Sequence, residues 1–153
     1  MNVQYFGLIF VNFVSAVVLN ENILWITGGD EFEGNMSTEL ISLDHPPIKG
    51  PKLPFSIIYH SMVRLDAKNI YLIGGFQNFK YSKDTWIIDP TKNFRIKQGP
   101  SLNVQRHLNS SSKMKIQGNI YLVVIGGMEG HADLDTVEIL DTSTPNQKWK
   151  IGT

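Results

Sequence analysis

Three times along this chain an apolar run closes on a pair of glycines: Leu24-Trp25-Ile26-Thr27-Gly28-Gly29, Tyr71-Leu72-Ile73-Gly74-Gly75 and Val123-Val124-Ile125-Gly126-Gly127. The pairs recur at a period of roughly 50 residues, which points to propellers built from repeated small sheets and not to short-period solenoids.

Two further markers keep the same phase. Lys49-Gly50-Pro51-Lys52-Leu53-Pro54 is matched by Gln98-Gly99-Pro100-Ser101-Leu102-Asn103. A run of β-formers ending in a turn-prone aspartate follows each glycine pair, as Thr38-Glu39-Leu40-Ile41-Ser42-Leu43-Asp44, Thr85-Trp86-Ile87-Ile88-Asp89 and Thr136-Val137-Glu138-Ile139-Leu140-Asp141. Each repeat thus predicts an entering strand, a strongly apolar strand ending in Gly-Gly, a loop, a third strand ending in Asp, and a weak outer strand before Gly-Pro. Ile70 to Ile73 and Ile120 to Ile125 are continuously apolar, the pattern of strands covered on both faces. Pro46-Pro47 in the first outer strand suits a sheet edge, where a missing backbone donor faces water. No amphipathic run is long enough for a stable helix. The repeats divide at about 13–54, 55–102 and 103–153, with 1–12 as a separate N-terminal segment.

These residues resemble the Kelch family, whose repeats carry a double glycine, a downstream tyrosine and, further on, a tryptophan. The resemblance runs over roughly residues 13 to 152. It implies an all-β fold, a partial Kelch-type β-propeller of about three four-stranded antiparallel blades. Leu43, Ile88 and Leu140 stand at the family's tyrosine position. Trp149 holds the tryptophan position, with Phe94 in the second repeat and Ile48 nearest to it in the first. Large apolar groups therefore persist where the family places aromatic ones.

Composition excludes several function classes. Lys+Arg and Asp+Glu are balanced at 14 each with no basic cluster, so the footprint of a nucleic-acid binder is missing. With no cysteine, disulfides, thiolate zinc sites and cysteine nucleophiles are ruled out. The copper radical oxidases among Kelch-type propellers imply a cysteine-linked tyrosine, which this chain lacks. Phe6 to Leu19 leaves two readings open. Its apolar character and Val14-Ser15-Ala16 suit a cleaved signal, but no Lys or Arg precedes Lys49, and Val14 to Leu19 aligns with His60 to Leu65 as an inner strand. The strand reading is preferred, with a cytoplasmic location favoured over secretion, and no membrane span is expected. The sequons at Asn35 and Asn109 would matter only in a secreted chain.

The glycine pairs are read as backbone geometry at crowded strand ends, since a phosphate loop needs a following helix and usually a lysine. His60 and His107 precede inner strands and are read as packed, hydrogen-bonded rings; Trp25, Trp86 and Trp149 are read as packing residues. Glu129-Gly130-His131-Ala132-Asp133-Leu134-Asp135 puts four potential ligands on alternate residues, but without a counterpart in the other repeats it is read as a solvated loop. No metal and no cofactor is expected. The segments after the glycine pairs vary in length, charge and aromatic content, and on a repeated scaffold such variation is where function sits. Phe32, Glu33, Phe79, Tyr81, Lys83 and His131 are the candidate contacts there, joined by Arg106 in the segment leading into the third inner strand.

The expectation is a non-enzymatic Kelch-repeat module binding another protein through one rim of loops. The alternative is an enzyme or metal-binding propeller fragment using residues around His131. Three blades leave a ring open. The chain is therefore expected to be part of a larger propeller, or to self-associate until two copies complete six blades.

Overall fold

The computed structural model describes residues 14–29 and 36–152. Among them the fold is all-β, with three four-stranded antiparallel sheets. Sheet 1 contains β1 (Val14–Asn20), β2 (Ile23–Gly28), β3 (Thr38–Ser42) and β4 (Ile48–Lys49), hydrogen-bonded in that order. Sheet 2 repeats it with β6 (Ser61–Arg64), β7 (Ile70–Ile73), β10 (Thr85–Asp89) and β11 (Arg95–Gln98), a 3-10 turn at Pro90–Lys92 joining the last two. Sheet 3 does so with β12 (Ser110–Ile116), β13 (Asn119–Ile125), β16 (Val137–Asp141) and β17 (Trp149–Gly152). Every repeat predicted from the sequence is thus one meander whose apolar second strand lies inside the sheet. No helix among the described residues is long and apolar enough to cross a membrane.

The sheets pack face to face in chain order through two separate cores. Val17 and Trp25 of sheet 1 meet Met62, Ile70, Leu72 and Ile88 of sheet 2, with Leu53 and Phe55 from the connecting segment. On the far side of sheet 2, Val63, Tyr71, Ile73 and Ile87 meet Leu122, Val124, Leu140 and Trp149 of sheet 3. Ile70 and Leu72 thus face one neighbour while Tyr71 and Ile73 face the other, which is why this strand lacks polar alternation. At roughly 1.5–3 kcal/mol for each fully buried aliphatic side chain, these two cores dominate the fold's stability.

Main-chain bonds repeat along with the markers. Gly50 N donates to Thr38 O at 2.7 Å and Gly99 N to Thr85 O at 2.7 Å; Leu53 N donates to Met36 O at 2.9 Å and Leu102 N to Lys83 O at 2.8 Å. The Gly-Pro segment folds back on the start of the third strand and delivers a buried leucine to the next core. A Cβ on Gly50 would lie 2.3 Å from Thr38 Oγ1, which explains the glycine. At the positions compared above with the aromatic ones of Kelch repeats, Ile88, Leu140 and Trp149 are buried, and the Phe94 ring lies tilted against Trp25 at 4.9 Å. Leu43 and Ile48 are instead 92% and 59% exposed, so the substitution of packing residues at those positions fails in the first repeat. Its outer strand is only two residues long, after a proline pair that cannot donate.

The segments expected as loops are more ordered than the sequence suggested. β5 (Ile57–Ile58), β8 (Phe76–Gln77) and β9 (Lys80–Tyr81) form a small sheet beside sheet 2, and β14 (Met128–Glu129) with β15 (Ala132–Asp133) a hairpin beside sheet 3. These hairpins stand at the end of the sheets where the glycine pairs lie.

Candidate functional site: the hairpin rim

Backbone geometry builds this rim. Gly28, Gly29, Gly74, Gly75, Gly126 and Gly127 all have positive φ, turning the chain out of each apolar strand. The entering segment of the same sheet then crosses directly over the second glycine: a Cβ on Gly75 would sit 2.6 Å from Ile58 O, and one on Gly127 2.5 Å from His107 O. Gly127 O accepts from Leu134 N at 2.9 Å as Gly75 O accepts from Ser82 N at 2.9 Å, closing each hairpin at its base.

Two residues tip each hairpin. Asn78 and Phe79 have φ of 47° and 65°, the twist of a type I′ turn, for which Asn-Gly is the preferred sequence. Phe79 is 73% exposed. The tip is held by Asn78 N donating to Ser56 O at 3.2 Å and by Ser56 N donating to Asn78 Oδ1 at 3.3 Å. In the third repeat Gly130, with φ 61°, and the exposed His131 occupy the same two positions. Phe32 and Glu33, the candidates of the first repeat, lie outside the described residues.

Tyr81 stacks on His107 at 4.5 Å and meets Phe76 edge-on at 5.2 Å, while Tyr59 approaches His107 edge-on at 5.9 Å. It therefore joins the hairpin of sheet 2 to the entering segment of sheet 3 and presents only part of its surface. Lys83 is exposed beside it. Burial, with His131 nearby, keeps the His107 ring below its ordinary pKa despite a bond from the ring to the Met128 main chain that acts the other way. His107 pairs with Met128 as Ile58 pairs with Phe76, and Asn109 stands where His60 does, so the two histidines expected at similar places are two positions out of phase.

Arg106 is not a rim contact. It is fully buried, with Nη2 3.0 Å from Glu138 Oε1. Its Nη1 donates to Gly126 O at 2.9 Å and to Thr136 O at 3.2 Å. Glu138 also accepts from Asn103 N at 2.7 Å, Asn103 Nδ2 at 2.8 Å and Val104 N at 3.2 Å. Both terminal nitrogens of the guanidinium tie the entering segment to the strand ends of sheet 3, while Nε is buried without a partner. In sheet 2 the positions of Arg106 and Glu138 are held by Ile57 and Trp86, with Phe55 on Trp86 at 4.8 Å. Sequence inspection picked out Arg106 for its charge and missed Glu138, which sits inside an apolar strand pattern with no local sign of a partner.

His60 links sheets 1 and 2. Thr27 Oγ1 donates toward Met62 Sδ at 3.4 Å, leaving His60 Nε2 to donate to Thr27 Oγ1 at 2.7 Å. Burial lowers the pKa of the ring from 6.5 to about 3, so it is neutral at neutral pH. Below pH 6.5 the unfolded chain takes up this proton while the folded chain does not, so stability is intact above 6.5 and drains away as pH falls toward 3. Between pH 7 and pH 5 the loss from this group is about 2 kcal/mol. Urea midpoints at the two pH values measure it, and His60→Asn, which installs the residue that Asn109 represents in the third repeat, is expected to flatten that difference. A midpoint shift unchanged in the variant would assign the acid sensitivity elsewhere.

Among the described residues, no three His, Asp or Glu side chains come together as a metal site, so Glu129, His131, Asp133 and Asp135 do not converge. The sequon asparagine Asn109 is buried and donates to Ser61 Oγ at 2.6 Å, so its amide is not open to glycosylation. No protein-family model matches the chain, and no curated protein matches it.

Proposed function

We propose that the three sheets are blades of a Kelch-type β-propeller and that the chain is a protein-binding module whose contact surface is the hairpin rim. The observation that carries this reading is Phe79. A large aromatic residue in left-handed backbone costs roughly 1–2 kcal/mol, it is 73% exposed, and the turn that bears it is pinned to the neighbouring segment. Strain kept at an exposed, fixed aromatic is expected of a contact residue and has no packing return within the chain. His131 at the equivalent tip and the exposed Lys83 widen the same surface. The groove beside the tip, lined by Gln77, Asn78, Lys80, Tyr81, Ser82 and Asp84, is open and polar, which suits a partner's side chain better than an enclosed small molecule.

Phe79→Gly separates binding from stability. Glycine relieves the left-handed strain, so the thermal midpoint is expected to rise by about 2–4 °C. Capture of the partner from a cell lysate, compared quantitatively with the parent chain, is expected to fall at least about tenfold. Capture that persists unchanged in both Phe79→Gly and Phe79→Gly/Lys83→Glu would remove the rim as the binding surface.

A further inference from the structure

The outward faces of sheets 1 and 3 repeat the two sides of the seams inside the chain. On sheet 1, Leu24, Ile26 and Ile41 hold the register positions that Ile70, Leu72 and Ile88 hold in sheet 2. In sheet 2 those residues are buried against the preceding sheet, whereas on sheet 1 Val14 and Val18 beside them are 37% and 55% exposed. On sheet 3, Ile125 and Ile139 hold the positions of Ile73 and Ile87, which sheet 3 itself covers in sheet 2. Ile125 is 50% exposed, and Met114 and Ile116 on the same face 38% and 49%. The backbone shows the same vacancy. A Cβ on Gly74 would lie 2.3 Å from Arg106 O of the next entering segment, while one on the equivalent Gly126 would meet, among the described residues, nothing nearer than Leu134 O at 3.4 Å.

We infer that a second copy of this chain covers both faces, each copy seating its sheet 1 on the other's sheet 3 so that two chains close a ring of six sheets. The inference rests on reading the sheets as blades. Three facts favour a copy as the occupant. The two open faces match each other as the two sides of the internal seams do: Ile125 stands where Ile73 does and Ile26 where Val124 does, and Ile73 and Val124 share one core. A head-to-tail contact of this kind closes when its rotation divides the circle, and six sheets fall among the ring sizes propellers use. Four strands of five residues present about 300 Å² per face, so two seams bury roughly 1,300 Å² or more, which is what a stable dimer needs.

One difference tunes this seam. Within the chain, Arg64 Nη1 donates to Val18 O at 3.0 Å and Lys113 Nζ to Leu65 O at 3.0 Å, so a basic residue ties each inner strand to the one before. Val18 stands at that position in sheet 1. The intermolecular seam therefore lacks this tie and separates on dilution before the sheets unfold.

Light scattering with sedimentation equilibrium tests the inference on the full chain. The expected species has twice the 17.3 kDa chain mass. Ala16→Arg and Ile125→Arg, both at exposed positions on the two faces, are each expected to give a folded monomer with an unchanged circular dichroism spectrum. An equimolar mixture of the two variants keeps one unmodified seam and recovers a dimer at higher concentration. Val18→Arg supplies the missing tie and lowers the dissociation concentration about tenfold. A parent chain that stays monomeric, a dimer lost through only one of the two faces, or a dimer weakened by Val18→Arg overturns the proposal. A monomer whose rim binding still responds to Phe79→Gly would sink this inference alone; a dimer whose rim binding ignores that substitution would sink the rim function alone.

Discussion

Glu138→Ala is expected to lower the stability of this chain by about 3–5 kcal/mol, a large part of what a domain of this size possesses. The reason is what the substitution leaves behind. Arg106 is fully buried, and with Glu138 gone its charge keeps only main-chain carbonyls and the Thr136 hydroxyl, while the main-chain N–H groups of Asn103 and Val104 lose their acceptor. Arg106→Ala is expected to do comparable damage from the other side. The pair as a pair is another matter, because burying two charges costs nearly as much as their attraction returns. Sheet 2 supplies the control: at these two positions it uses Ile57 and Trp86 and forms the same antiparallel meander. The double replacement Arg106→Met/Glu138→Leu is therefore expected to recover what the stranded guanidinium costs but not what the unpaired N–H groups of Asn103 and Val104 cost, leaving it roughly 1–2 kcal/mol below the parent. Urea unfolding of the two single variants and the double measures the coupling. A double variant as unstable as either single one would show that shape, not charge, holds the entering segment in place.

That network also marks how far the sequence could be read. Order and pairing of the strands were legible because three independent markers shared a period, and each marks a feature the backbone requires: glycines where another segment crosses, Gly-Pro where the chain folds back, aspartate at a turn. Which faces of sheet 2 were covered was legible too, since Ile70 to Ile73 shows no polar alternation. Long-range polar contacts were not, because nothing local to Arg106 or Glu138 distinguishes an exposed charge from a buried one. The same limit applies to the rim. Phe79 and His131 could be singled out as varying residues, but that they tip matched two-residue hairpins depends on pairings such as Gln77 with Lys80 and Glu129 with Ala132, which the surrounding sheets impose on short, weak strands. Tyr81 was expected at the surface in the same way, yet its ring finds His107 on the neighbouring segment, a contact no periodicity encodes.

Gly74→Ala and Gly126→Ala are expected to differ far more than their matched sequences suggest. Both glycines are the first of a pair, with φ of 64° and 59°, so an alanine at either bears the left-handed penalty of roughly 1–2 kcal/mol. At Gly74 the new Cβ also runs into the carbonyl of Arg106 at 2.3 Å, and that carbonyl already accepts from Gly75 N at 2.8 Å. Neither backbone can yield without opening the seam between sheets 2 and 3, so the total is expected to reach about 3–5 kcal/mol. At Gly126 the nearest atom among the described residues lies at 3.4 Å, and there only the backbone penalty applies. Thermal unfolding at low protein concentration, where the chain is monomeric, should therefore show a drop of about 10 °C or more for Gly74→Ala and about 3–6 °C for Gly126→Ala. Equal losses at the two sites would mean that left-handed backbone, and not the crossing segment, is what demands glycine there.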